Sequence, residues 1–260
     1  MLNNEVSIYI GYQSNMEQRV LIKERFKAMG YHFIFSMLLG LIALYLVFFL
    51  WYPHPLDIAM GVTKIYLIML VIDLFIGPIF TGLIFKKDRK KFILDLCVIL
   101  ILQLSAYGYG LYTMSVGRAA WVVFVVDDLE IVAPIDVQSN SQNHIHKRVL
   151  SHPEWIAATY STNAEVAKRQ KEDEIFKGIS LATRPEAFHP IVVKSNEIIK
   201  RLKPLKDLNK FNAQEVIAKE LLDYKTASGW LPVKASELDM VALFNSKGEP
   251  LGIINLRPWN

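Results

Sequence analysis

Three long apolar stretches organise the first half of the chain. From Phe33 to about Tyr112 the sequence is dominated by Leu, Ile, Val and Phe, whereas Gly117 to Asn260 mixes apolar and polar positions as a soluble domain does. The first stretch, Phe33 to Tyr52 (FIFSMLLGLIALYLVFFLWY), carries no charged side chain and has the ~20 residues that a helix needs to cross a hydrocarbon core. It ends in WYPHP rather than in small residues, so it reads as a retained anchor and not as a cleavable signal. The second runs from about Ile65 to Phe85 and contains Asp73 and Gly77-Pro78; the third runs from about Phe92 to Tyr112, with Asp95 near its start. The pattern predicts three transmembrane α-helices.

The pattern changes after Gly117. Trp121 to Val126 is apolar and β-branched, which predicts a strand, with Asp127-Asp128 turning it or ending it. QSNSQNHIHK reads as a loop. Helices are expected over Asn163–Lys177 and over Asn212–Tyr224, the latter with Asn212 at the N-cap and Glu215 three residues on, the spacing of a capping box. MVALF and PLGIINL flank NSKGE, the composition of a hairpin turn. The fold expected is therefore a membrane protein: three transmembrane α-helices followed by an extramembrane α+β domain. Its parts are a cytoplasmic N-terminal segment (1–32), a three-helix transmembrane region (33–116) and an external domain (117–260).

Charge fixes the orientation and removes one function class. Of 29 Lys/Arg and 25 Asp/Glu, residues 117–260 hold 19 and 18, so the basic excess lies near the apolar stretches. That location is topological and argues against nucleic-acid binding. Lys86, Lys87, Arg89, Lys90 and Lys91 make five of the six positions between the second and third stretches basic, the mark of a cytoplasmic loop. Arg19, Lys23, Arg25 and Lys27 place the N-terminus on the same side, so the third helix exits and the whole C-terminal domain lies outside.

Little in the polar residues points to catalysis. His144, His146 and His152 lie close together, but no further ligand stands at a recognised metal spacing, and Ser151 beside His152 is adjacency in sequence only. There is no G-x-S-x-G, no H-E-x-x-H and no phosphate loop. Cys97 lies in an apolar run and reads as packing; KRQKEDEIFK reads as a solvated helix face. No cofactor or metal is expected. Asp73 is more informative, because a carboxylate near mid-bilayer costs on the order of 3 kcal/mol and should face a partner rather than lipid. It could pack against another helix of this chain, or dock a polar group on a partner's helix, with Gly77-Pro78 kinking the second helix and Gly82 allowing close approach.

The segments KERFKAMGYHFIFSMLLGLI, LVFFLWYPHPL, DLFIGPIFTGLIF, KKFILDLCVILILQLSAYGYGLYT and WVVFVVDDLEIV, in that order, resemble the TfpX/TfpZ family of type IV pilin accessory proteins over residues 20–137, with an echo in GEPLGIINLRPW. The chain departs from the family's pattern at Arg118-Ala119, where Arg-Pro is usual, and at Asp127-Asp128-Leu129, where Asp-Arg-aromatic is usual. The resemblance implies a bacterial inner-membrane protein with a periplasmic C-terminal domain. It implies a non-enzymatic accessory that binds its cognate type IV major pilin, and possible contact with other pilus assembly components. It makes Asp73, Gly77, Pro78 and Gly82 candidates for meeting the pilin's apolar helix, and Arg118, Asp127 and Asp128 candidates for the membrane–domain junction. The alternative is a membrane-tethered enzyme with a periplasmic catalytic domain, for which His144, His146, His152 and His189 are the available material. A ligand sensor is the third reading, and only a short cytoplasmic output is available to it.

Overall fold

The computed structural model describes residues 2–85, 89–138 and 150–259. Among these, three helices are long and apolar enough to cross a membrane: Gln18–Trp51, Val62–Ile84 and Lys90–Val116. The chain divides into two compact units, one formed by residues 1–44 and 64–112, the other by residues 45–63 and 113–260.

Helix α1 (Leu2–Leu44) runs unbroken through position 32/33 and continues as a π-helical segment, Tyr45–Trp51. After a short helix α2 (Leu56–Ala59), the second apolar helix is built in three pieces: α3 (Val62–Val71), a π-helical turn Ile72–Ile76, and α4 (Gly77–Ile84). Pro78 explains the wide turn. It has no N–H to return to residue 74, and its ring crowds the preceding turn, so the helix loosens just before it. Helix α5 (Arg89–Val116) is the third apolar helix.

The second unit is built on a mixed sheet of seven strands among the described residues: β1 (Trp121–Val125), β2 (Asp128–Val132), β3 (Glu154–Ala158), β4 (Phe188–Pro190), β5 (Gly229–Lys234), β6 (Met240–Phe244) and β7 (Pro250–Ile254). Their order across the sheet is β4-β3-β1-β2-β5-β6-β7. The strand expected from Trp121 is β1, which turns back into β2, and β6 and β7 form the hairpin expected around NSKGE. β1 also runs parallel to β3, and β2 parallel to β5.

Alternation along the strands gives this sheet two apolar faces. Val122, Phe124, Leu129, Leu231, Val233 and Phe244 line one, and Ile198 of α7 (Ser195–Arg201) packs on it. On the other, Trp121, Val123 and Ile156 meet Leu181 and Ala182, while Trp230, Val241 and Leu243 meet Leu208 and Ile217. Helix α6 (Ala164–Lys177) is capped by Asn163, whose side chain accepts from Glu165 and Val166, and it ends at Gly178 in the left-handed conformation. The expected capping box at Asn212 is not formed. Helix α8 (Gln214–Glu220) starts after Ala213 without a side-chain cap. Asn212 instead donates to the carbonyl of Arg257 at 2.9 Å and accepts from its amide at 2.8 Å, which pins the C-terminal tail.

The segment between the first two apolar helices is part of the sheet unit. Leu56 and Ala59 are buried in the core of the first sheet face. The Ala59 carbonyl accepts from the amides of Glu237 and Leu238 at 3.0 and 3.1 Å. Leu56→Ala should therefore destabilise this unit by about 2–5 kcal/mol, read as a lowered denaturant midpoint of tryptophan fluorescence in micelles. Leu222→Ala, at a side chain 65 % exposed, should leave the midpoint unchanged.

Candidate functional site

A helix that is apolar all round hides which of its faces is inward, and here the small and polar residues mark it. Among the described side chains, the buried positions of α1 are His32, Ser36, Gly40 and Ala43, and those of the second apolar helix include Tyr66, Met69, Asp73, Gly77 and Thr81. Both sets recur every three or four residues, so each forms one stripe. Gln103 and Tyr107 lie on the corresponding face of α5.

Gln103 joins the three helices. Its amide nitrogen donates to the Ser36 hydroxyl at 3.1 Å and to the backbone carbonyl of Asp73 at 3.1 Å. Its carbonyl oxygen is left to accept from Nε2 of His32, 2.7 Å away. Nε2 then carries a proton, and in the neutral ring Nδ1 accepts from the Thr81 hydroxyl at 2.6 Å. Two tyrosines add cross-links of a second kind: Tyr66 donates to the carbonyl of Gly40 at 3.0 Å and Tyr107 to that of Leu39 at 2.8 Å. The six polar side chains Gln103, Ser36, His32, Thr81, Tyr66 and Tyr107 thus have partners inside the chain, as apolar surroundings require.

All four residues singled out by sequence are buried, and two of them, Asp73 and Gly77, lie against Gln103. Asp73, 4 % exposed, is buried beside the Gln103 side chain. Gly77 lies against Gln103 so closely that a Cβ there would come within 2.4 Å of its Oε1; a Cβ at Gly82 would meet the Met29 sulfur at the same distance. Pro78 is buried with them. His32, Ser36, Thr81 and Gln103 were not anticipated. The available signal was Gln103, an amide in the middle of an apolar span, since such a group must be satisfied by a neighbouring helix.

In the sheet unit, Arg118 sits between α5 and β1, 4 % exposed, and donates to the Ser115 carbonyl at 2.5 Å. Beside it the Tyr52 hydroxyl donates to the Met114 carbonyl at 2.9 Å. Burial pushes the Tyr52 hydroxyl far above its ordinary range, with Arg118 opposing, and burial lowers Arg118. Asp127 and Asp128 are not with Arg118: they lie at the β1–β2 turn, at the other end of β1. The turn apex is Val126, at φ 56°, a conformation that strains a β-branched residue.

A polar strip crosses the second sheet face between its two apolar clusters. Lys234 pairs with Asp128 at 2.5 Å, and Glu130 is its neighbour across the parallel β2–β5 pairing. Burial raises the Glu130 carboxyl above its ordinary 4.5, with Asp128 and Glu174 adding and the Ser180 hydroxyl and Lys234 opposing. Of the histidines, His152 and His189 are both exposed, and His144 and His146 lie outside the described residues. Among the described residues no group of three or more His, Cys, Asp or Glu is arranged to hold a metal ion. Lys86 and Lys87 also lie outside the described residues.

Comparison with known proteins supplies what this geometry alone does not. The family model described as fimbrial assembly protein FimB matches residues 20–61. The fimbrial assembly protein of serogroup E1 from Dichelobacter nodosus is 32% identical over 216 residues, which is 79% of this chain and 82% of that protein. The serogroup I protein of the same organism is 30% identical over the same shares. The protein of serogroups C1 and C2 is 35% identical over 121 residues, 44% of this chain and 92% of that protein. No solved structure matches.

Gly77→Ala should cost more than Gly82→Ala. The first displaces a carboxamide held by three hydrogen bonds, and the second displaces only a flexible thioether. Thermal unfolding in micelles checks the order, and equal losses would remove Gln103 from its central role. Glu130 makes a pH prediction. Its folded pKa lies above the unfolded value, so its contribution to stability is fully present below about 4.5 and is lost as pH rises through the folded pKa. Glu130→Gln should stabilise the sheet unit at pH 8 relative to the parent and lose that advantage at pH 4, as measured by urea midpoints.

Proposed function

We propose that this chain, which belongs to the fimbrial assembly protein family, is a membrane accessory of type IV fimbrial assembly that binds the fimbrial subunit without acting on it as an enzyme. The observation that carries this reading is the 30–32% identity to two Dichelobacter nodosus fimbrial assembly proteins over 79% of the chain. An alignment of 216 residues necessarily includes parts of both compact units. The finer assignment to the TfpX/TfpZ pilin accessory family belongs to the same proposal.

In this reading the three apolar helices lie in the bacterial inner membrane, with the N-terminus and the Lys86–Lys91 loop in the cytoplasm and the sheet unit in the periplasm. The cognate major pilin waits in the same bilayer, held by an apolar helix, with its head on the periplasmic side. Its helix packs against outer surfaces of the helical unit, such as α5, where Ile101 and Leu102 are exposed. Asp73, Gly77, Pro78 and Gly82 then serve the partner as the inner frame that sets those surfaces. The sheet unit meets the subunit's head.

Purification of the tagged full-length chain from native membranes, with its partners identified by mass spectrometry, tests the reading. A fimbrial subunit should be recovered; its absence under crosslinking conditions would overturn the proposal. Asp73→Asn and Asp73→Ala should lower subunit recovery while the chain's own level stays constant. If recovery is untouched, or the chain disappears, Asp73 serves the fold alone.

A further inference from the structure

The sheet changes partners along β5, and a cleft of about 410 Å³ opens at the change. At the start of β5, Trp230 exchanges both backbone hydrogen bonds with Lys203, at 2.9 and 3.0 Å. At its end, β5 pairs with β2, but only at Leu129–Val233 and Glu130–Lys234. Pro232 falls between the two partners. Alternation places its backbone nitrogen on the same edge as that of Trp230, and proline brings no N–H to that edge. The gap in the ladder therefore leaves no buried donor without a partner.

Charges of both signs line this cleft. Asp127 and Asp128 reach it from the β1–β2 turn, Lys200, Arg201 and Lys203 from the end of α7 and just beyond it, and Trp259 from the C-terminal tail. Asp128 is already neutralised by Lys234 at 2.5 Å. Lys203 lies over the Trp230 ring, its nitrogen 4.9 Å from the centroid, and makes no ion pair among the described residues. Lys200 and Arg201 likewise have no carboxylate within ion-pair distance among the described residues. Their place in the last turn of α7 suits the helix dipole, which accounts for two cations. It does not account for Lys203, nor for the convergence of all three on a concavity with an indole in its wall. Trp259 is held there by its bond to Asp239 at 2.9 Å, and the tail that carries it is fixed by Arg257 and Asn212.

We infer that this cleft is a docking site for an acidic polypeptide segment of a protein partner. Three converging cations against one uncommitted carboxylate select an anionic ligand. A volume within the ~300–1,000 Å³ of ordinary ligand sites takes a few side chains rather than a flat surface. Asp127 in the lining disfavours an anionic lipid surface and suits a segment that carries a basic residue beside its acidic ones. Proteins that bind by such charge complementarity gain specificity and association rate from it. Resting on the function proposed above, the segment belongs to the fimbrial subunit's external part.

A photoreactive p-benzoylphenylalanine placed at Trp259, and in a second chain at Leu102 of α5, tests the site in the full-length protein in native membranes. The Trp259 position should crosslink to the fimbrial subunit, within a segment rich in Asp and Glu. Lys200→Glu with Arg201→Glu should cut that product by about tenfold while sparing the Leu102 product; both side chains are exposed, so the fold is undisturbed. Lys168→Glu, on the exposed face of α6, should change neither. If the Leu102 product forms but the Trp259 product is absent, is indifferent to charge reversal, or maps to lipid or to a segment without acidic residues, the cleft has another role and the proposed function stands. If neither position reaches the subunit, both proposals fall.

Discussion

A carboxamide in the middle of an apolar helix cannot be left to hydrocarbon, and in this chain Gln103 meets that constraint with groups on both other helices. One nitrogen and one oxygen reach Ser36, the Asp73 carbonyl and His32. Lipid tails are as apolar as leucine, so hydrophobicity alone gives such helices no reason to choose one neighbour or one register. Buried hydrogen bonds supply that choice. The absence of a side chain at Gly77 then follows, because the space is occupied by Gln103, and the wide turn before Pro78 sets the Asp73 carbonyl within reach. The same cluster takes Asp73 out of contact with the surroundings, which makes it a part of the frame.

The sheet unit rests on a different constraint. A sheet with two apolar faces needs cover on both, and part of the cover for one face comes from α2, a four-residue helix in the segment between the first two apolar helices. The other face is divided. Its apolar clusters are separated by Asp128, Glu130 and Lys234, charged groups that burial penalises and that are relieved by one another, by Asp127 and by Ser180. Such a strip is a poor way to build a core and marks the edge of a cleft better than the middle of one.

Much of this was legible in the sequence, for reasons that differ by residue. The three apolar helices, strand β1, the β6–β7 hairpin and helix α6 follow from composition and local spacing. Asp73 was visible as an oddity, but hydropathy could not show which way it pointed, because its neighbours are apolar on every side. His32 sits at the edge of an apolar run, where a histidine looks interfacial. Asn212 obeyed the capping-box spacing and was claimed by the C-terminal tail, a contact 45 residues distant that no local rule contains. Strand β5 was hidden by Pro232, which argues against a central strand except where the ladder has a gap.

The role of Gln103 as the joint of the helical unit is the central claim, and a double-mutant cycle between His32→Ala and Gln103→Ala addresses it most directly. Equilibrium unfolding in mixed micelles gives the coupling energy between the two side chains. The account predicts a coupling of about 0.6–1.7 kcal/mol, the range of buried hydrogen bonds between membrane helices. Effects that add to within about 0.3 kcal/mol would contradict it, showing that the two residues stabilise their helices independently.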